Sequence, residues 1–313
     1  MFGLFRGVPS YVKEVNNPYG SNGVFPASNR KGIMVCGRWS DEIFSFIKNN
    51  NIKAVYLNVS NGWEGGDYRF LSGLTSIEEL NIIDGKTPCL SGLASMVSLK
   101  NLSISCHTTG DVDFSKLKNL QYCYLTWWTG ANSLFEVISL EGLYLNEAKL
   151  KDFSVVQNLE NLHSLIIGNS SVTSLEWLPK LKKLSRLELL NAKKVEDFTP
   201  IASCDRLEKL TISGCPKLST LEFVSSLQHL KLLNISDSHS IESLKPLSNV
   251  NSLKAVAFAG TKTNILDGDL SVLKGLPNLS MLMFLDRKHY SHKLIKQWNW
   301  ENFDKPDVLL QKK

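Results

Sequence analysis

No stretch of the chain approaches the roughly 18 apolar residues of a membrane-spanning helix. Residues 1–10 lack the apolar core that a signal peptide needs. A cytoplasmic protein that does not enter a membrane is therefore expected. Charge of one sign is also scarce: 35 Lys and Arg against 30 Asp and Glu leave a formal net charge of +5, dispersed along the chain. The densest basic segment is residues 180–183. Nucleic-acid binders concentrate positive charge on one face, so nucleic acid is disfavoured as a partner. The six cysteines, Cys36, Cys89, Cys106, Cys123, Cys204 and Cys215, form neither Cys-x-x-Cys pairs nor a dense framework. Buried reduced thiols are therefore expected ahead of disulfides or metal ligands, with Cys123 and Cys204 pointing inward.

Signatures of chemistry are missing as well. There is no Gly-rich phosphate loop ending in Lys and Ser or Thr, no Gly-x-Ser-x-Gly and no His-Glu-x-x-His. His289 and His292 stand three apart without a third ligand nearby, a poor metal site that reads as a solvated tail. No catalytic residue, metal or cofactor is expected, and the chain reads as non-enzymatic.

What the sequence does contain is a leucine frame. Leu99, Leu102 and Ile104 recur as Leu140, Leu143 and Leu145, then Leu162, Leu165 and Ile167, Leu184, Leu187 and Leu189, Leu207, Leu210 and Ile212, and Leu230, Leu233 and Ile235. Frames starting at residues 77, 99, 120, 140, 162, 184, 207, 230, 253 and 279 are separated by 20 to 26 residues. Such a period means one short strand per turn of a solenoid, whose repeats share one core. A second apolar pattern, as in residues 150–159, 172–181, 195–201 and 241–250, has the spacing of short helical or 3₁₀ turns and belongs on the convex side. The fold expected is an α/β solenoid, with a parallel concave sheet and short convex turns.

Three segments follow from this pattern. Residues 1–51 form an N-terminal cap, residues 52–287 carry about 11 repeat strands, and residues 288–313 form a C-terminal cap or tail. Within the first cap, residues 1 to about 30 read as turns, 33–39 as a strand and 40–48 as a helix. Ser40 suits the helix N-cap, Asp41 and Glu42 suit the positive end of its dipole, and Ile43, Phe44 and Ile47 give an apolar side.

Over residues 52–287 the chain resembles leucine-rich repeat proteins of the 22-residue type, such as internalins and phosphatase-regulating repeat proteins. The convex segments at 152–156, 197–201 and 244–247 carry the likeness beside the frame. The resemblance implies a leucine-rich repeat horseshoe. It also implies Asn at the ninth frame position, where this chain has Ser60, Gly85, His107, Trp128, Ala148, Ser170, Ala192, Cys215, Ser238 and Thr261. Ser, Thr and Cys are expected to take over part of that backbone bonding, with Asn169 and Asn191 one position early.

Side chains between the frame residues face away from the core because a strand has a period of two. The middle column runs Tyr56, Asn81, Ser103, Tyr124, Tyr144, Ile166, Glu188, Thr211, Asn234, Ala257 and Met283. Tyr122 joins Tyr124 and Tyr144, with Trp127 and Trp128 at the strand exit and Arg186, Glu188 and Lys209 supplying charge. Amphipathic rings facing solvent are frequent interface anchors. These nine side chains (Tyr56, Tyr122, Tyr124, Trp127, Trp128, Tyr144, Arg186, Glu188, Lys209) are the candidate partner-binding set; the alternative is that the rings brace the sheet. The apolar column Leu232, Ala255, Ala257, Ala259, Met281, Met283 and Leu285 calls for a cover, either residues 288–313 folded back or a second copy in a homodimer.

The function expected is a protein–protein interaction module, of bacterial origin and otherwise monomeric, binding one protein on its concave face. With no effector or anchoring domain appended, it would act by occlusion, as an inhibitor or an immunity protein does. The competing readings are a receptor for a small ligand or nucleic acid that stacks on the same rings, and a translocated bacterial effector.

Overall fold

A computed structural model describes residues 9, 11–15, 29–86, 88–150, 152–294 and 310–312. The chain divides into two compact units, Met1–Asn146 and Glu147–Lys313. The frame predicts no such division, because the leucine spacing continues across residue 146.

The first unit carries seven strands in the order β1 (Val12–Val15), β2 (Gly32–Val35), β3 (Ala54–Asn58), β4 (Glu79–Ile83), β5 (Asn101–Ile104), β6 (Tyr122–Thr126) and β7 (Gly142–Asn146). All pairings from β2 onward are parallel, whereas β1 runs antiparallel to β2. That first strand is a departure, since its segment reads as turns in the sequence. Helix α1 (Asp41–Asn49) follows β2 as expected, with the Ser40 hydroxyl accepting from the Ile43 N–H at 3.4 Å. Its buried side is Ile43, Phe46 and Ile47, while Phe44 is 38% exposed. At 100° per residue Phe44 and Phe46 flank the Ile43–Ile47 line at equal angles, so periodicity does not choose between them; the structure buries Phe46.

In the second unit the strands β8 (Ser164–Gly168), β9 (Arg186–Leu190), β10 (Lys209–Ser213), β11 (Leu232–Asn234), β13 (Ala255–Phe258) and β15 (Met281–Phe284) pair in parallel. The short strands β12 (Ser240–Ile241) and β14 (Asn264–Ile265) pair beside them, and β16 (His292–Leu294) pairs antiparallel with β17 (Leu310–Lys312). The frame residues Leu165, Ile167, Leu187, Leu189, Leu210, Ile212, Leu233 and Ile235 are fully buried. Burying each such side chain contributes about 1.5–3 kcal/mol, so the frame itself holds the repeats together.

Outer turns are 3₁₀ segments, among them Phe153–Asn158, Leu178–Lys180, Thr199–Ser203, Glu222–Ser226, Lys245–Asn249 and Ser271–Gly275. Asp152 caps the first of these, and an Asp, Ser or Thr side chain closes a short turn leading into each of the others. Asp152, Asp197 and Asp269 accept the N–H of Ser154, Thr199 and Ser271 at 2.7, 2.8 and 2.9 Å, and Ser174, Thr220 and Ser243 do the same for Glu176, Glu222 and Lys245 at 3.2, 3.3 and 3.0 Å. Parallel strands inside and short turns outside are those of a leucine-rich repeat solenoid.

Strand exits in the second unit share one backbone conformation. Glu147, Asn169, Asn191, Gly214, Asp237 and Gly260 all have positive φ, between 49° and 97°. The N–H of each of the first five donates to a carbonyl one turn ahead, on Gly168, Leu190, Ser213, Ser236 and Ala259, at 2.7–3.3 Å. Asn191 Nδ2 also donates to Asn169 Oδ1 at 2.9 Å. Further inside, Cys215 Sγ, Ser238 Oγ and Thr263 Oγ1 donate to the carbonyls of Leu189, Ile212 and Ile235 at 3.6, 3.1 and 3.3 Å. Cys215 and Ser238 thus serve where the resemblance implies Asn; Thr263, two residues after Thr261, takes the third place.

The segment around His289 and His292 is folded rather than a solvated tail. Tyr290 is buried against Phe258 and Phe284, His289 Nε2 meets the Ile265 carbonyl at 2.9 Å, and His292 is buried beside Ser291. The frame ends here on aromatic rings that cover its last turn. Of residues 288–313, expected to cover the apolar column, 295–309 and 313 lie outside the described residues.

Candidate functional site

Strands β6 and β7 bring the three tyrosines together. Leu125 and Leu145 point into the core and are fully buried, so Tyr124 and Tyr144 point to the other face. Parallel register places these two opposite one another, as the column read from the sequence requires. Their rings meet edge to face, centroids 4.6 Å apart at 74°. That geometry contributes about 0.5–1.5 kcal/mol beyond area burial and holds both rings in one orientation.

Tyr122 lies two residues before Tyr124 on the same face. Its hydroxyl donates to Glu141 Oε2 at 2.9 Å, and Gln121 Nε2 donates to Oε1 of the same carboxylate at 3.3 Å. Burial, reinforced by the neighbouring carboxylate, pushes the Tyr122 phenol up to about 12. The ring is therefore neutral across the physiological range and fixed by its own hydrogen bond. All three tyrosines are half-buried, each with part of its surface exposed.

Glu141 escapes the sequence reading because it precedes the strand, outside the alternating columns. The available signal is register: Tyr122 pairs with Gly142, so a phenol of that length reaches the preceding residue on the neighbouring strand.

Other candidates take different places. Tyr56, expected to face solvent, is only 2% exposed. It belongs to a second apolar cluster with Met34 and Ala54, against which Val15 and Cys36 pack, and its hydroxyl donates to Glu79 Oε1 at 2.5 Å. Period two chose the correct face, but that face is covered at this end of the first unit. Trp127 and Trp128 are also buried, at 8% exposure each. Trp127 packs on Phe135, and Trp128 packs on Phe114 while its Nε1 donates to the Gly110 carbonyl at 2.9 Å. Both indoles close long strand exits instead of standing on the surface.

The charged candidates belong to the second unit. Arg186 and Glu188 share one face of β9 and pair with each other, Nη2 to Oε1 at 2.5 Å and Nε to Oε1 at 2.8 Å. Their charges offset one another, while exposed Lys209 stands opposite Arg186 on β10.

Among the described residues, no group of three or more His, Cys, Asp or Glu side chains is placed to hold a metal ion. Likewise among them, no helix is long and apolar enough to cross a membrane.

Comparison with known proteins bears on the fold. The model of the leucine-rich repeat domain of the endo-β-N-acetylglucosaminidase EndoS matches residues 154–249. No curated protein sequence matches the chain. Among solved structures, an internalin, inlF of Listeria monocytogenes, aligns with a TM-score of 0.64 at 22% identity, over 78% of this chain and 71% of that one. The internalin inlC2 of the same organism aligns with a TM-score of 0.49 at 21% identity over 69% and 84%. The Leptospira interrogans repeat protein LIC12759 aligns with a TM-score of 0.49 at 15% identity over 80% and 75%.

Proposed function

We propose that, on this leucine-rich repeat fold, Tyr122, Tyr124 and Tyr144 anchor one protein partner on the open sheet face of the first unit. A protein-interaction module is what this fold supplies in general. The observation that carries the finer reading is the Tyr124–Tyr144 pair, two half-buried rings fixed edge to face beside a third that is tied to Glu141. Rings held this way lose little freedom when a partner covers them, which is the property of interface anchors. Lys209 and the Arg186–Glu188 pair supply charge elsewhere on the chain, and Tyr56, Trp127 and Trp128 drop to a supporting role.

Occlusion of the partner's own working surface, in the manner of an inhibitor or an immunity protein, is the mode that a scaffold without assigned chemistry supports. Cys106, Cys123, Cys204 and Cys215, buried as free thiols, support a reducing, cytoplasmic setting.

The test is affinity capture of the tagged protein from its native host, with a Tyr122→Ala/Tyr124→Ala/Tyr144→Ala variant as control. A partner held by the wild type and lost from the folded variant is expected, with affinity reduced at least tenfold. A partner retained equally by both removes the tyrosine face from consideration.

A further inference from the structure

A cleft of about 460 Å³ opens in the first unit, away from the three tyrosines, where the residues following β2, β3 and β4 come together. Its size falls within the range of small-molecule sites. Trp39, Trp63 and Phe70 line it, with Arg38, Arg69 and Lys86 around them. We propose that this cleft binds a small ligand in which a planar ring carries one anionic group, a carboxylate or a phosphate. The proposal stands apart from the tyrosine face and does not depend on it.

The aromatic wall is rigid. Trp39 lies flat on Phe70 at 3.9 Å and 8°, and Trp63 meets Phe70 edge-on at 6.1 Å and 72°. Trp63 and its neighbour Tyr68 are buried, whereas Trp39 and Phe70 keep part of their surface exposed. A hydrogen-bonded chain ties that wall to the basic side: Trp63 Nε1 donates to the Tyr68 hydroxyl at 2.8 Å, which donates to Asp84 Oδ2 at 2.5 Å, and Asp84 Oδ1 accepts the Lys86 N–H at 2.9 Å. Both ends of the cleft are thus fixed before any ligand arrives. Gly65 and Gly66, at φ of +73° and +128°, form the intervening loop, and the space where a Gly66 side chain would start is empty.

Charge selects the ligand's sign. Three cations line the cleft against two carboxylates, Glu64 and Asp67. Each carboxylate already holds a guanidinium, Arg38 to Glu64 at 2.7 Å and Arg69 to Asp67. These pairs are largely exposed, 84% and 55% for the first and 91% and 52% for the second, so they contribute little and can rearrange around an incoming anion. Lys86 forms no ion pair among the described residues, and its ammonium donates only to the Glu64 carbonyl at 3.2 Å. The third acid, Asp84, is buried beneath Tyr68 with both oxygens occupied. A carboxylate or phosphate is the complement of such a set, since guanidinium groups grip both in a fork. The exposed ring surfaces call for a flat, apolar body.

Isothermal titration of the full chain with indole-3-acetate and adenosine monophosphate, against indole and adenosine, tests this directly. At least one acid is expected to bind with a Kd below about 1 mM and at least tenfold more tightly than its uncharged counterpart. Two variants, Trp39→Ala and the triple Arg38→Gln/Arg69→Gln/Lys86→Gln, are each expected to weaken that binding at least tenfold. The triple variant changes solvent-facing rim groups and keeps the test intact if Trp39→Ala fails to fold. Absence of binding by both acids up to about 1 mM, equal binding with and without the acid group, or a less than tenfold loss in either folded variant overturns the proposal.

Discussion

The two units leave their strands by different means. In the second, five consecutive exits and the sixth at Gly260 repeat one left-handed residue, and backbone N–H groups of the first five reach one turn ahead. In the first, the exits differ from turn to turn: a short 3₁₀ turn and glycine loop after β3, the Asp84 carboxylate after β4, and two buried indoles after β6. A uniform exit holds the coil through the backbone and asks chiefly for residues that accept a positive φ. Irregular exits depend on large buried rings, and they carry the surface variety: the tyrosines and the aromatic cleft both lie in the first unit. The match to the EndoS repeat domain, residues 154–249, falls wholly within the regular unit.

Truncating a closing ring in the first unit should have the largest effect. Trp128→Ala removes packing on Phe114 and the hydrogen bond to Gly110, and is expected to cost about 3–5 kcal/mol in urea unfolding followed by far-ultraviolet circular dichroism. Ala192, at the same frame position in the second unit, has no such ring to lose. The backbone exit can be attacked in its turn. Gly260 has φ of +97°, and a Cβ there would lie 2.0 Å from Asp237 Oδ1. Gly260→Ala is expected to cost about 2–3 kcal/mol by the same measurement. A cost below 1 kcal/mol would mean that the left-handed joint is not what fixes the turn.

Acid should act on the aspartates that lead into the outer turns. The carboxyls of Asp152, Asp197 and Asp269 are held below their ordinary values, chiefly by the hydroxyls of Ser154, Thr199 and Ser271 and then by the N–H groups of the same residues. Depressed folded-state values mean that the stabilisation is present above the unfolded carboxylate value of about 3.9 and is lost as pH falls through the folded one. A triple Asp→Asn variant at these positions is expected to show a shallower loss of melting temperature from pH 5 to 2.5 than the wild type; parallel profiles would remove these carboxylates as the cause.

The smallest effect is a labelling pattern. Cys36 and Cys89, both in the first unit, are the accessible thiols, while burial pushes Cys106, Cys204 and Cys215 up to about 11. A thiol reagent at neutral pH is expected to modify those two in the native protein and all six after denaturation. Rapid labelling of Cys204 or Cys215 would show that the regular unit opens more readily than its packing implies.

Much of this architecture is legible in the residues themselves. The column from Tyr56 to Met283 read from the leucine frame agrees with the observed register pair by pair within each unit, for example Ser103 with Tyr124 and Glu188 with Thr211. Strand periodicity sets the face of every side chain, and that information is local. What covers a face is not local: Tyr56 is sealed by Met34 and Val15, and the position of antiparallel β1 depends on pairing with β2 rather than on its own composition. Trp127 and Trp128 stand at an exit whose packing involves Gly110, Phe114 and Phe135, residues at other frame positions. The Arg186–Glu188 pair follows from i,i+2 spacing on one strand face, a signal present in the sequence itself.

The left-handed exits have one more consequence. Because Asn169, Asn191, Gly214 and Asp237 present the same joint every 22 or 23 residues, a segment cut between two of them begins and ends in the same conformation and hands its hydrogen bond to an equivalent carbonyl. Whole turns can then be deleted or duplicated in register without redesigning a junction. The reach of that surface is a modular quantity, set by copy number, while its chemistry is written separately into the strand residues between the joints.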